Sequence, residues 1–225
     1  MAEPIYHVTK WVVVPAMHLW FHHTAEGLEN LPREGPLLIA LNHVSYLDPL
    51  SVGYTVAMNG RRPRFLAKSE LYQDRRIGWI LRGCGQIEVK RGTPQAPMAL
   101  DNAFAALDRG ESIVVFPEGT TNPHPEGELQ PPKSGIARLA VGTGAPVIPG
   151  AIWGAQNVWP KGSYRRNWRP RQPIVMRFGE PLSFGHLDDS HEGWRQAGAD
   201  LMKEIARILS DIRWRVPDRR RPRPG

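Results

Sequence analysis

The chain has 225 residues, 29 Lys or Arg against 22 Asp or Glu, a net charge of +7 and one cysteine, Cys84. This length suits one domain with a full α/β core. A lone cysteine excludes an intrachain disulfide and a thiolate metal site, and it fits a reducing compartment.

From the N-terminus, the longest apolar run is Trp11 to Phe21, broken by Pro15 and His18. A spanning helix needs about twenty apolar residues. The run therefore predicts a helical element over 1–26 that either dips Trp11, Trp20 and Phe21 into a membrane interface or packs on the domain. The start, Met1-Ala2-Glu3-Pro4, lacks a positive leader, so no signal peptide is expected and the protein is read as cytoplasmic, peripheral to the cell membrane.

Strand-like apolar runs follow at 37–41, 64–67, 85–89, 112–116, 146–152 and 173–178. Between most of them lie helix-like stretches. Pro94 to Arg109 carries Met98, Leu100, Ala103, Phe104 and Leu107 on one broad face, and a helix start is expected at Lys133. Trp194, Ala197, Leu201, Ile205, Ile208 and Ile212 recur every three or four residues, a one-sided helical stripe. Alternating strands and helices predict an α/β domain over 27–212, a layered sheet covered by helices. Cys84, in Arg-Gly-Cys-Gly, reads as a packing residue. Pro-rich stretches at 122–132 and 217–224 read as loop and tail.

From Arg213 to Gly225 there are six Arg and one Asp, which carry most of the net charge. This segment is read as a separate basic tail, either a solvated end or a membrane contact. A second basic stretch, Lys161 to Arg177, has six Lys or Arg and no acid, interleaved with Tyr164 and Trp168 and preceded by Trp159. Cations mixed with Trp and Tyr suit an anionic membrane surface. No nucleic-acid-binding motif accompanies them, so nucleic acid is not expected as a partner. The eight histidines show no metal-ligand spacing, since the neighbours His22 and His23 rarely converge on one ion.

Two apolar runs lead directly into reactive residue types. Leu37–Leu41 precedes Asn42-His43-Val44-Ser45-Tyr46-Leu47-Asp48, and Ile113-Val114-Val115 precedes Phe116-Pro117-Glu118-Gly119-Thr120. Strand-end turns are where α/β scaffolds expose catalytic groups. Neutral imidazole is the side chain best suited to take a proton from an attacking hydroxyl near neutral pH, and a carboxylate on its second nitrogen fixes the tautomer. His43 is the candidate base and Asp48 its partner. Within one helix, five residues turn by about 500°, which leaves the side chains about 140° apart. The pair must therefore straddle a turn, with His43 before a helix and Asp48 at its start. The competing reading makes Asp48-Pro49 an N-cap, with Ser45 and Asp48 as a capping-box variant. Asn42 either fixes the loop or orients His43. Arg91 lies just past a strand, placed to grip a phosphate in bidentate fashion. Lys68 at another strand end and Lys133 at a helix start are further candidates, or else solvated cations. Pro149-Gly150 interrupts a strand, which demands an edge or a bulge and would widen a groove for an acyl chain.

These residues carry a resemblance. His43-x4-Asp48, Gly85-x-Ile87-x-Val89-x-Arg91, Phe116-Pro117-Glu118-Gly119-Thr120 and Val147-Ile148-Pro149-Gly150 occur in order, within similarity running from roughly 27 to 180. Together they resemble the four blocks of the glycerolipid acyltransferases, best known from the 1-acyl-glycerol-3-phosphate acyltransferases. Lys133-Ser-Gly-Ile-Ala-Arg resembles a further stretch of that family. One position departs: the family usually has Arg or Ser after the third block, and this chain has Thr121. The resemblance implies a mixed sheet preceded by an N-terminal helical element. It implies transfer of a fatty acyl group from acyl-coenzyme A or acyl carrier protein to the sn-2 hydroxyl of 1-acyl-glycerol-3-phosphate, giving phosphatidate. His43 is then the base oriented by Asp48. The third block is placed on the acceptor, where Glu118 meets a glycerol hydroxyl or an Arg, Gly119 makes a tight turn, and Thr120 lines the site. No cofactor is expected beyond the acyl donor. Another lysophospholipid or a glycolipid is the alternative acceptor, kept open by Thr121. A non-catalytic lipid-binding protein is the competing class. No Gly-x-Ser-x-Gly elbow is present, which argues against hydrolysis through an acyl-serine.

Overall fold

Leu37–Leu41 is apolar at every position because it is buried on both faces, as a central parallel strand must be. Leu37, Ile39 and Leu41 enter one hydrophobic core while Leu38 and Ala40 enter the other, the period-two alternation of a strand between two layers. In the computed structural model, which describes residues 4–123, 129–162 and 167–218, this segment is β2. Around it lie β1 (Phe21–Glu26), β3 (Pro63–Lys68), β4 (Ile87–Val89), β5 (Ser112–Val115), β6 (Val147–Trp153) and β7 (Gln172–Phe178). They form one sheet in the order β1-β7-β6-β2-β5-β3-β4. All neighbours are parallel except β6 and β7. The α/β class and the mixed sheet expected from the sequence are both observed.

The helices are α1 (Pro4–Trp20), α2 (Asp48–Met58), α3 (Ser69–Gln73), α4 (Gly78–Gly83), α5 (Ala96–Asp108), α6 (Ser134–Thr143) and α7 (His191–Ile212). Val52 and Val56 of α2 cover one face of the sheet. Ala99, Ala103 and Leu107 of α5, Ile136 and Leu139 of α6, and Leu201 and Ile205 of α7 cover the other. Ser190 caps α7 by accepting from the Gly193 N–H at 3.3 Å. Cys84 is buried, in keeping with a packing role.

Four sequence expectations need correction. The N-terminal helical element ends at Trp20, because residues 21–26 form β1, paired in parallel with β7. Phe21 is only 6% exposed and packs in the core instead of facing lipid. At the other end, Val216 is buried, its carbonyl accepts from Trp153 Nε1 at 2.8 Å, and that of Pro217 accepts from Asn157 Nδ2 at 3.0 Å. The domain therefore continues past Ile212, and the basic tail does not start at Arg213. The arginines from 219 onward, with Tyr164, Arg165 and Arg166 of the second basic stretch, lie outside the described residues, as do 124–128 of the Pro-rich loop. Finally, Pro149 is not at an edge, since β6 lies between β7 and β2. It sits at a bulge. Gly150 faces Phe178, yet Val147 meets Leu182, one residue more on the β7 side than an unbroken ladder has. The Pro149 carbonyl accepts from Gly179 at 2.8 Å, and the missing Pro N–H falls where the ladder is already broken. Its ring is buried near Gly179 in mid-strand, which is a packing role and not the lining of an acyl groove.

Helix α1 packs on α2 and α4 and leaves Val8, Trp11, Val12 and Leu19 exposed. No helix among the described residues is long and apolar enough to cross a membrane.

Under this helix, His23 of β1 stands against Tyr54 of α2, with ring centroids 4.7 Å apart, and neither ring nitrogen has a partner among the described residues. Burial, reinforced by His18 and His22, lowers its pKa from 6.5 to about 4. A histidine held neutral in the fold contributes stability that is complete above its unfolded value and is lost as pH falls through the folded one. Between pH 7 and pH 4.5 the wild-type protein is expected to lose about 2 kcal/mol more stability than His23→Phe. Denaturant titrations at the two pH values measure this, and equal losses would remove His23 as the cause.

Candidate active site

The parallel strands β2, β5, β3 and β4 all end on the same edge of the sheet, and the turns after them build the site. At the end of β2, Asn42 does not touch the His43 ring. Its Nδ2 donates to the Ile152 carbonyl at 3.1 Å, and its Oδ1 accepts from the Ile152 N–H at 2.8 Å. It thus carries the β2–β6 pairing one residue further with a side chain, which fixes where the chain turns into His43.

His43 and Asp48 straddle that turn as expected. Asp48 opens α2 and is fully buried. Its Oδ2 lies 2.8 Å from His43 Nδ1 and accepts from the Val44 and Ser45 N–H groups at 2.7 and 2.8 Å. These amides precede the helix, so Asp48 does not cap α2. Ser45 completes only half of a capping box, because its Oγ accepts from Leu47 N and donates to the Trp159 carbonyl. With three donors converging on one carboxylate oxygen, His43 carries its proton on Nδ1 and leaves the Nε2 lone pair free of Asp48. Burial pushes Asp48 above the usual carboxylate range, opposed by His43 and then the two backbone amides. The imidazole also stacks on Phe116, with centroids 4.2 Å apart and planes 18° from parallel.

The turn after β5 is tied to the same histidine. Glu118 is 1% exposed. Its Oε1 accepts from the His43 N–H at 2.9 Å, and its Oε2 accepts from the Gln130 N–H at 2.9 Å and Asn122 Nδ2 at 3.2 Å. Burial raises its pKa, and these donors counter the rise. The expectation that Glu118 meets a substrate hydroxyl or an Arg is therefore corrected. Both of its oxygens serve to hold the two turns together. Gly119 has φ 68° and its N–H closes a turn on the Phe116 carbonyl at 2.9 Å, a conformation that favours glycine.

Cations gather on this turn. Arg91 Nη1 donates to the Gly119 carbonyl. The aliphatic stem of Lys133 lies over Gly119, and its backbone N–H binds the Pro117 carbonyl at 2.8 Å. Lys161 Nζ donates to Thr120 Oγ1 at 3.1 Å. None of the three has a carboxylate partner among the described residues. Lys68 is exposed at the end of β3, on the same sheet edge but without an ion pair among the described residues.

Sequence reasoning missed three contacts here. Phe116 under the imidazole belongs to a motif read only for its Glu and Gly. Lys161 was assigned to a membrane-facing stretch. Thr121 was noted only as a departure, yet its Oγ1 lies 3.0 Å from His43 Nε2. No group of His, Cys, Asp and Glu suited to a metal ion occurs among the described residues.

Comparison with known proteins shows what this chain resembles. The chain is 34% identical over 140 residues to a chloroplastic 1-acyl-sn-glycerol-3-phosphate acyltransferase, BAT2, of Brassica napus, covering 61% of this chain and 39% of that protein. The match thus spans about two fifths of the length of the chloroplastic relatives of Brassica napus and Arabidopsis thaliana. A 1-acyl-sn-glycerol-3-phosphate acyltransferase of Bacillus subtilis is 29% identical over 192 residues, 82% of this chain and 88% of the relative. The crystal structure of the 1-acyl-sn-glycerophosphate acyltransferase PlsC from Thermotoga maritima superposes with a TM-score of 0.68 at 26% identity, over 91% of this chain and 79% of that one. A family model described as Acyltransferase matches residues 22–153. That span holds the His43–Asp48 turn, Arg91 and the turn at Gly119, and with more than half of its length matched the chain belongs to the acyltransferase family.

Proposed function

We propose that this protein transfers a fatty acyl group from acyl-coenzyme A or an acyl carrier protein to the sn-2 hydroxyl of 1-acyl-glycerol-3-phosphate, giving phosphatidate. The observation that carries the reading is a partly exposed histidine whose Nδ1 is anchored on buried Asp48, beside a turn flanked by cations with no carboxylate partner among the described residues. The acceptor oxygen attacks the thioester carbonyl carbon while its proton passes to His43 Nε2. Asp48 stabilises the imidazolium that forms. Collapse of the tetrahedral adduct breaks the C–S bond, and the leaving thiolate takes the proton back from Nε2. Arg91 holds the acceptor phosphate, with Lys133 beside it. No metal or further cofactor enters these steps.

The exposed Val8, Trp11, Val12 and Leu19 of α1, together with Trp20, support seating on an anionic membrane surface. Helix α1 packs on α2, the helix that begins with Asp48, so a lipid acceptor and the base are brought to the same layer.

Thiol release from oleoyl-coenzyme A, with and without 1-acyl-glycerol-3-phosphate, tests the reading when phosphatidate is measured alongside. Acceptor-dependent release is expected. Vesicle binding without acyl transfer to any acceptor would favour a lipid-binding protein, and preference for an acceptor without phosphate would overturn the phosphatidate assignment. Arg91→Ala is expected to raise the Michaelis constant for the phosphate-bearing acceptor by roughly tenfold or more, the scale of a charge-assisted hydrogen bond, with kcat little changed. An unchanged constant would take Arg91 out of the phosphate site.

A further inference from the structure

The hydroxyl of Thr121 occupies the atom of His43 on which the proposed reaction depends. Nδ1–H is committed to Asp48, so Nε2 offers one in-plane lone pair, and that lone pair accepts one hydrogen bond. At 3.0 Å, Thr121 Oγ1 already supplies the donor. Thr121 is 3% exposed, whereas the His43 side chain is 13% exposed. The donor on Nε2 is therefore buried, while part of the imidazole side chain remains exposed. Neither partner can drift apart. The Asn122 N–H donates to the His43 carbonyl at 2.6 Å, and Glu118 binds both the His43 N–H and Asn122 Nδ2.

We infer that Thr121 is a positioning residue that caps the general base in the resting protein and thereby favours an alcohol over water as the attacking group. The inference rests on His43 being the base. An acceptor hydroxyl reaches Nε2 only when Thr121 turns about χ1 to another staggered rotamer. One O–H···N bond then replaces another, so the exchange itself is nearly neutral. An acceptor held by its phosphate and acyl chain presents its hydroxyl at high effective concentration and can drive this exchange. A water molecule has no such anchor and competes with a hydroxyl tethered in place. Hydrolysis would form a C–O bond from water, break the same C–S bond and pass its proton through the same Nε2, so it needs the same uncapped lone pair.

The test measures phosphatidate and free fatty acid separately, from oleoyl-coenzyme A and 1-acyl-glycerol-3-phosphate. The proteins are wild type, Thr121→Val, Thr121→Ser and His43→Ala. Thr121→Val keeps the shape and removes the donor. Its ratio of hydrolysis to transfer is expected to rise roughly tenfold, the scale of one hydrogen bond, while Thr121→Ser keeps the wild-type ratio. Should Thr121→Val fail to fold by circular dichroism, Thr121→Ala takes its place. An unchanged ratio in the variant without the hydroxyl, with His43→Ala inactive, overturns the cap and leaves the base assignment standing. Turnover by His43→Ala overturns both. An oleoyl ester found on Thr121 by mass spectrometry would make Thr121 a nucleophile and overturn the cap as well.

Discussion

Replacing His43 with alanine is expected to lower kcat for acyl transfer by roughly 10² to 10⁴, the usual contribution of a positioned general base. The fold should survive. The variant gives up the Phe116 stacking and the Thr121 contact, but two further contacts that tie residue 43 to the turn after β5 come from its backbone: the N–H to Glu118 and the carbonyl to Asn122 N–H. Neither is touched by truncating the side chain. Asp48 loses one of its three donors and keeps the Val44 and Ser45 amides, so the stability cost should stay near 1 to 3 kcal/mol, the order expected for a buried acceptor losing a partner. The measurement is phosphatidate formation at saturating substrates beside a thermal melt. A folded His43→Ala protein that turns over within about threefold of wild type would end the base assignment, since removing a group that acts only in the transition state must lower kcat.

How far the sequence carries this site depends on the range of the interactions involved. β2 was legible because five consecutive apolar residues between turn signals mean burial on both faces. The straddling geometry of His43 and Asp48 was legible too, because helical rotation excludes the alternative. β1 was not. His22, His23 and Glu26 break its apolar pattern, and its register exists only through β7, some 150 residues away. For the same reason Phe21, which follows α1 directly, read as an interfacial residue when it is a strand residue in the core. Glu118 shows the limit for a single side chain. The motif marks it as important, but only the folded chain brings His43 N–H and Gln130 N–H to its two oxygens and turns it inward. Thr121 follows the same logic: a local spelling flagged the position, and a contact between residues far apart in sequence defines what it does. Lys161 was misread because a run of charges was assigned as a block. The bridge between Ser45 and Pro160 brings the start of that block over the site.

Asp48→Asn separates the catalytic reading of this carboxylate from a structural one. Three donors converge on Oδ2, two of them backbone amides that cannot change role. An asparagine satisfies both amides only with its carbonyl oxygen there, which retains the Val44 and Ser45 bonds and the His43 tautomer. Its amide nitrogen then falls at the position of Oδ1, which is buried with no partner among the described residues. A buried donor left unpaired costs about 1 to 3 kcal/mol, so the variant should be less stable but folded. What disappears entirely is the negative charge behind the imidazole. Before attack that loss is felt little. During attack His43 becomes a cation, and the charge that would have stabilised it is gone. If the amide flips to face the ring instead, His43 must carry its proton on Nε2 and is no longer a base. Either arrangement predicts a fall in kcat of roughly 10² to 10⁴ with little change in the Michaelis constant for the acceptor, because the interaction matters only in the transition state. An Asp48 that merely braced the turn predicts the opposite: lower stability with kcat within about fivefold of wild type. Chemical denaturation and steady-state kinetics on the same preparation tell the two apart. A destabilised but fully active Asp48→Asn would leave His43 working without its carboxylate, and the turn before α2 would have to be explained as scaffold alone.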